Sequence, residues 1–425
     1  MTETFDHSIT LFSIFAILIT LSALFSYINQ RFIKLPTTIG LMLIALFMSL
    51  TILGLDKFNL DQGLGEQIRH LMENIDFNTT LMQGMLSFLL FAGALHVNLG
   101  DLSKDKWIIG ILATLGVCLS TFLIGYTSWW LLEKIGLELP LIYCLLFGAL
   151  ISPTDPIAVL GILKTAGAPK ALETKITGES LFNDGVGVVI FIVLLGIATA
   201  EVETNAMDIS TLFAAETFGG ILFGLAIGAL AYAMLKSIDN YQVEILITLA
   251  VVSGGYALAH AIHVSGPIAV VVAGLLIGNH GRILAMSDKT REHLDLFWEL
   301  IDEILNAILF IMIGLEVLVL TFDMHYLVAG LFLIPVVLVA RFLSVSIPVT
   351  ILRQKQKFSK HAIKIMTWGG LRGGISVALA LSLPAGNERD IILVATYVIV
   401  VFSIVVQGLS IGKLIKSGQR GTQPE

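Results

Sequence analysis

The chain has 425 residues, 56% of them hydrophobic and only 13% charged, where a soluble domain carries about 25% charged residues. That excludes an ordinary soluble globular protein and points to an all-α polytopic membrane protein. The formal net charge of −7 decides little, because the placement of Lys and Arg orients a membrane protein and their sum does not.

Apolar runs of about 17–25 residues predict thirteen spans, at 8–28, 37–54, 80–98, 107–132, 140–164, 175–200, 212–236, 242–262, 264–281, 295–320, 326–351, 362–384 and 390–412. Glu3 and Asp6 precede the first span, which argues against a cleaved signal peptide. Segment 60–75 is too polar to span and reads as a short surface helix. Cys118 and Cys144 lie inside apolar runs and imply no disulfide framework.

Span five contains Ser152-Pro153-Thr154-Asp155-Pro156, whose prolines remove backbone donors and disfavour helix in the residue before each. Span six opens on Glu179-Ser180-Leu181-Phe182-Asn183-Asp184-Gly185, polar groups set in an apolar run. At i, i+4 spacing Glu179 stacks under Asn183 and Ser180 under Asp184. A charged group at mid-bilayer costs roughly 2.5–3.5 kcal/mol, so this stripe faces a protein interior or a water-filled cavity. Binding a cation or carrying a proton is one reason for such a carboxylate; a buried salt bridge is the competing one.

Between spans eight and nine, His263 leaves almost no loop, and with His260 it is a candidate pH sensor near the outer face. Glu299, Asp302 and Glu303 in span ten either draw cations towards an inward funnel or form a solvated helix end, the blander reading. Glu316, nearer the outer side, reads as an interfacial acid that snorkels. Span eleven carries Arg341. Span twelve is interrupted by Gly369-Gly370-Leu371-Arg372-Gly373-Gly374, glycines that each weaken helix by roughly 1 kcal/mol.

With the N-terminus outside, the basic residues fall on the cytoplasmic side except Lys57, Arg69, Lys134 and Arg389, with Arg341 and Arg372 inside spans. That bias follows the positive-inside rule and leaves the C-terminus cytoplasmic. Both helix breaks lie in the fifth span of a six-span repeat and run in opposite directions. Such matched interruptions point to the binding site of a secondary transporter. Counting from Lys164 and Lys175, Asp155 and Asp184 each sit roughly 13–14 Å from the inner face at about 1.5 Å per residue, and Arg341 and Arg372 reach similar depths. Asp155 and Arg372 suit the partial charges of half-helix ends. Glu179 has a natural partner in Arg341, and Asp184 is left without a cation, the mark of a titrating ion ligand.

Together Ser152-Pro153-Thr154-Asp155-Pro156, Glu179 to Asp184, Ala340-Arg341 and Gly369 to Gly373 resemble the monovalent cation:proton antiporters of the NhaP and sodium/hydrogen exchanger type. The resemblance implies a homodimer in a bacterial inner (plasma) membrane, with a core from 107–200 and 325–415, a dimerisation domain from 1–106 and 201–324, and a short cytoplasmic tail at 416–425. It implies that Asp184 binds Na⁺ (or Li⁺ or K⁺) and H⁺ in turn, that Ser180, Glu179 and the Thr154 carbonyl complete the site beside Asp155, and that Asn183, Arg341 and Arg372 stabilise it. Asn183 stands where electrogenic relatives carry a second Asp, which implies electroneutral exchange. Ala92, after Leu89-Leu90-Phe91, replaces an acid found in many members. No cofactor, enzymatic activity or nucleic-acid partner is expected, since hydrolase and phosphate-loop motifs are absent. K⁺/H⁺ exchange, a passive cation channel and an intramembrane hydrolase built on Asp155 and Asp184 are the rival readings.

Overall fold

The computed structural model describes residues 11–57, 77–155, 163, 167–199, 206–281, 286–320, 323–353, 358 and 361–420, and the regular structure among them is helical throughout. The surface helix expected at 60–75 lies outside the described residues. The helices that position the site are α1 (Leu11–Ile28), α2 (Thr37–Lys57), α3 (Leu86–His96), α4 (Val117–Lys134), α5 (Leu141–Ile151), α6 (Lys170–Ala198), α7 (Ala206–Lys236), α8 (Tyr241–Ala261), α9 (Gly266–Leu276), α10 (Asp288–Glu316), α11 (Met324–Leu352), α12 (Ala362–Trp368), α13 (Gly374–Leu381) and α14 (Asn387–Phe402).

Nine helices among the described residues are long and apolar enough to cross a membrane. The other predicted spans fall on α5, on Gly266–Gly281, on the charged-start helix α10, and on α12 with α13. Span ten starts earlier than expected: α10 begins at Asp288, where the Ser287 side chain caps the Thr290 N–H at 3.4 Å. The turn between α8 and α9 is as tight as the sequence suggests. His263 adopts a left-handed conformation (φ 55°), and Ser265 caps the next helix through the Ile268 N–H.

Packing sorts the helices into two groups. In one, α4, α5, α6, α11, α13 and α14 are mutual neighbours; in the other, α1, α2, α3, α7, α8, α9 and α10 are. The groups meet chiefly where α6 lies against α7 and α9, where α13 lies against the helical turns at residues 77–85, and where α10 lies against α13. Ala92 is buried in an apolar cluster around Trp298, whose ring lies 4.7 Å from that of Phe91, so packing replaces the acid at that position.

Lys175, counted among the inner-face charges, is buried within α6. Its ammonium is 2.8 Å from the Asp105 carboxylate, the partner that makes its burial affordable in energy terms. Helices α2 and α10 touch through small residues: a Cβ at Gly314 would lie 2.5 Å from Ala45 Cβ and 2.9 Å from the Met42 carbonyl oxygen. Gly314→Ala is therefore expected to lower stability by about 1–3 kcal/mol, the range for overpacking. Gly254→Ala, where nothing lies within 4 Å, should be neutral or stabilising by about 0.5–1 kcal/mol. Thermal unfolding of the purified variants in detergent checks both.

Candidate functional site

The site grows from the two helix breaks. α5 stops at Ile151, just before Pro153, and α12 stops at Trp368, before the glycine run. Each break strands backbone groups that a lipid environment cannot satisfy. The two breaks satisfy each other: the Asp155 N–H donates to the Leu371 carbonyl at 2.8 Å. The Arg372 guanidinium donates to the Ser152 carbonyl and, at 2.8 Å, to the Pro153 carbonyl, both at the C-terminal end of α5. The Ser376 hydroxyl closes a third orphan, donating to the Leu150 carbonyl at 2.7 Å.

The last membrane helix completes the set. A π-helical turn at Ser403–Gln407 presents the Ser403 hydroxyl to the Arg372 N–H at 2.9 Å, and the Gln407 amide to the Trp368 carbonyl at 3.1 Å. Neither residue figures in the reading of the sequence. Their signal was there, as two polar side chains at i, i+4 in an otherwise apolar span. The Asp155 carboxylate lies against Gly373, the N-cap of α13, so close that a Cβ there would strike it. An acid at that end matches the partial positive charge of a helix N-terminus.

α6 then lays its polar stripe on the breaks. The Asn183 amide donates to the Thr154 hydroxyl at 2.9 Å and accepts from the Thr154 N–H at 3.4 Å. The Thr154 and Ser180 hydroxyls are 2.9 Å apart. Glu179 and Arg341 form a two-pronged ion pair: Nη1 meets Oε1, and Nη2 donates to Oε2 at 3.0 Å. Nη2 also donates to the Met366 carbonyl at 3.2 Å. Only glycine at 370 allows this, because a Cβ there would lie 2.6 Å from the Arg341 Nε.

Asp184 differs from all of these. It is buried, within electrostatic range of Asp155, and forms no hydrogen bond or ion pair among the described residues. The other acids singled out in the sequence separate. Glu299 and Glu303 are exposed, as a solvated helix face requires, whereas Asp302 turns inward and is half-buried. Glu316 does not snorkel: only 5% of it is exposed, because the C-terminal end of α10 is covered, and Arg389 and Tyr397 are close enough to interact with it electrostatically. His260 and His263 are exposed and within electrostatic range of Glu216.

Comparison with known proteins gives a consistent picture. A family model described as "Sodium/hydrogen exchanger, transmembrane" matches residues 19–417. The chain is 53% identical over 405 residues to the Na⁺/H⁺ antiporter NhaP of Pseudomonas aeruginosa, covering 94% of this chain and 95% of that one. It is 34% identical over 392 residues to the Na⁺/H⁺ antiporter NhaH of Halobacillus dabanensis, covering 91% and 93%. A solved structure of the sodium proton antiporter MjNhaP1 from Methanocaldococcus jannaschii superposes with a TM-score of 0.71 at 20% identity, covering 94% of this chain and 96% of that one, which shows a shared fold.

The Glu179–Arg341 pair carries a stability expectation. Removing one partner of a buried pair strands the other charge and costs about 3–5 kcal/mol. Glu179→Gln and Arg341→Leu should each lower thermal stability sharply, and the double variant should recover part of the loss. Strictly additive losses in that cycle would mean the pair contributes no coupling.

Proposed function

The chain belongs to the sodium/hydrogen exchanger family, and from that premise we propose that it exchanges Na⁺ for H⁺, one for one, with Asp184 binding each in turn. One observation carries the reading. Asp184 is buried and forms no hydrogen bond or ion pair among the described residues, while Glu179, one turn earlier, is held by Arg341. An isolated buried carboxylate is costly unless its charge is neutralised, and either a proton or a monovalent cation does so. The two ions therefore compete for one group, and each drives the other off.

The neighbouring oxygens fit a cargo cation of this kind. Ser180 and Thr154 add hard oxygen ligands beside the Asp184 carboxylate, as weakly held alkali ions require. Asn183 fixes Thr154 in place. Glu179 shapes the charge of the site from one turn away, with Arg341 balancing it. Asp155 holds the negative side of the break, and Arg372 the positive side.

Translocation is an alternation of two bodies in a bacterial plasma membrane. The helices α4–α6 and α11–α14, including both breaks, carry the site past a body formed by α1–α3 and α7–α10. That second body forms the homodimer contact. The chain crosses thirteen times, with its N-terminus outside. Since Asn183 is neutral, one carboxylate accounts for each half-cycle, and no net charge moves.

Asp184→Asn should abolish Na⁺-driven proton movement in proteoliposomes while leaving the protein folded; substantial exchange in that variant would remove Asp184 from the carrier role. Wild-type exchange should slow at acid pH for want of bound Na⁺ and at alkaline pH for want of protons, giving a bell-shaped profile. With the membrane potential clamped by valinomycin, the rate should not respond to voltage, and a clear acceleration would show that net charge is carried. The same assay run with Na⁺, Li⁺ and K⁺ ranks the cations.

A further inference from the structure

A small cavity adjoins the Glu179–Arg341 pair, and the proposed exchange does not use it. Its volume is about 10 Å³, and Arg341, Thr367, Gly370, Arg372, Phe402 and Gln407 are among the residues that line it. Space on this scale takes one water, provided that two or more polar groups of the wall can bond it.

Two buried polar atoms of this wall have no partner. Arg341 is only 6% exposed, and it directs Nη1 and Nη2 at Glu179 and at the Met366 carbonyl. Its Nε–H is buried and forms no hydrogen bond among the described residues. The Thr367 hydroxyl oxygen is likewise buried and unpartnered. Other helical threonines of this chain behave differently: Thr20, Thr51, Thr114, Thr174 and Thr177 each donate to the carbonyl four residues earlier, the usual outlet for a hydroxyl in a helix. Thr367, near the end of α12, forgoes that bond and lines the cavity.

The break keeps room beside the guanidinium. Gly370 lines the cavity, and a Cβ there would lie 2.6 Å from Arg341 Nε, so any side chain would crowd that edge. A buried charged donor with no acceptor is among the costlier defects of a protein interior. One water answers both orphans, accepting from Nε–H and donating to the Thr367 oxygen. Gln407, whose amide nitrogen donates to the Trp368 carbonyl at 3.1 Å, brings a third polar group to the wall. Two guanidiniums would also suit an anion, but the volume excludes a carboxylate or a phosphate group.

We propose that this cavity is the binding site of one ordered water, which joins Arg341 Nε to the Thr367 hydroxyl and makes Thr367 a positioning residue for the Glu179–Arg341 pair. Its effect on exchange rests on the antiport reading; the water site does not. Arg341 and Thr367 both belong to the body that carries Asp184, so the bridge travels with the site.

A structure of the full-length protein in lipid nanodiscs, prepared in chloride-free buffer and at a resolution that shows ordered water, tests the site directly. Wild type should show one peak within hydrogen-bonding distance of both Arg341 Nε and Thr367 Oγ1, and the lack of that peak overturns the proposal. This map needs no variant to fold. Thr367→Val keeps the side-chain shape and removes the hydroxyl. It should lower the thermal midpoint of the otherwise native chain and leave that of the Glu179→Gln/Arg341→Leu variant unchanged, since no Nε–H remains there. Thr367→Ser should restore the native midpoint. Equal losses in both backgrounds, or a loss in neither, overturn the positioning role.

The pH profile of exchange gives a readout that a purely structural role would not move. A loosened Arg341 balances Glu179 less well, which favours H⁺ over Na⁺ at Asp184. Thr367→Val should therefore raise the Na⁺ concentration for half-maximal exchange at acid pH about threefold, a displacement of the acid limb by roughly half a pH unit, and leave the alkaline limb in place. A fall in rate by the same factor at every pH would show that Thr367 does not act through Arg341. If Asp184→Asn kept exchange, the Asp184 assignment would fail, and the map and the thermal cycle would still judge the water site.

Discussion

The structure depends on the mutual satisfaction of two broken helices. A helix that stops inside an apolar medium leaves carbonyls at one end and N–H groups at the other, with no water to receive them. Here the orphan groups of α5, α12 and α13 are met by one another and by side chains placed for the purpose. Arg372 covers the end of α5, Ser376 reaches the carbonyl of Leu150, and Ser403 and Gln407 serve the break from the last helix. The close approach explains the glycines: a Cβ at 370 or 373 would strike Arg341 or Asp155. The unwound backbone is thus stable without becoming helical, and its polar residues Ser152, Thr154 and Arg372 stay buried among apolar helices.

The electrostatics follow from that arrangement. A buried charge is tolerated when it is paired or lies at a helix end of opposite sign. Glu179 and Arg341 meet the first condition, and Asp155 and Arg372 the second. Asp184 meets neither through a direct contact among the described residues. A site with every charge fixed would be rigid and inert, and one with several loose charges would not hold its shape. In the proposed exchange, fixing the neighbours and leaving Asp184 to exchange its counter-ion gives a site that is ordered and still able to release what it binds.

Small residues provide the other half of the design. Gly148 lies against the Thr121 carbonyl and Gly314 against α2, so helices within each packing group approach closely. Between the groups the contacts are fewer, chiefly at α6 with α7 and α9, and at α13 with residues 77–85 and with α10. α10 reaches the break through Leu309, which packs on Gly374. In the proposed alternation, a relative movement of the two groups changes the contacts around the break while leaving the interior of each group intact.

Much of this was legible from the residues alone. Apolar runs marked the membrane segments, prolines and glycines marked both breaks, and polar groups in apolar surroundings marked the α6 stripe. Depth counted from flanking basic residues brought Asp155, Asp184, Arg341 and Arg372 to one level, and Arg341 was the natural partner for Glu179; that pair meets across 162 residues of chain. Sequence could do this because burying charge or interrupting a helix in lipid is costly, so each such residue stands out from its background. It could not separate Asp302 from Glu299 and Glu303, foresee that Lys175 is buried on Asp105, or show that Glu316 is covered. Those outcomes depend on which neighbouring helix covers each side chain. Helical periodicity says which residues share a face, and only tertiary packing decides whether that face meets water, lipid or another charge.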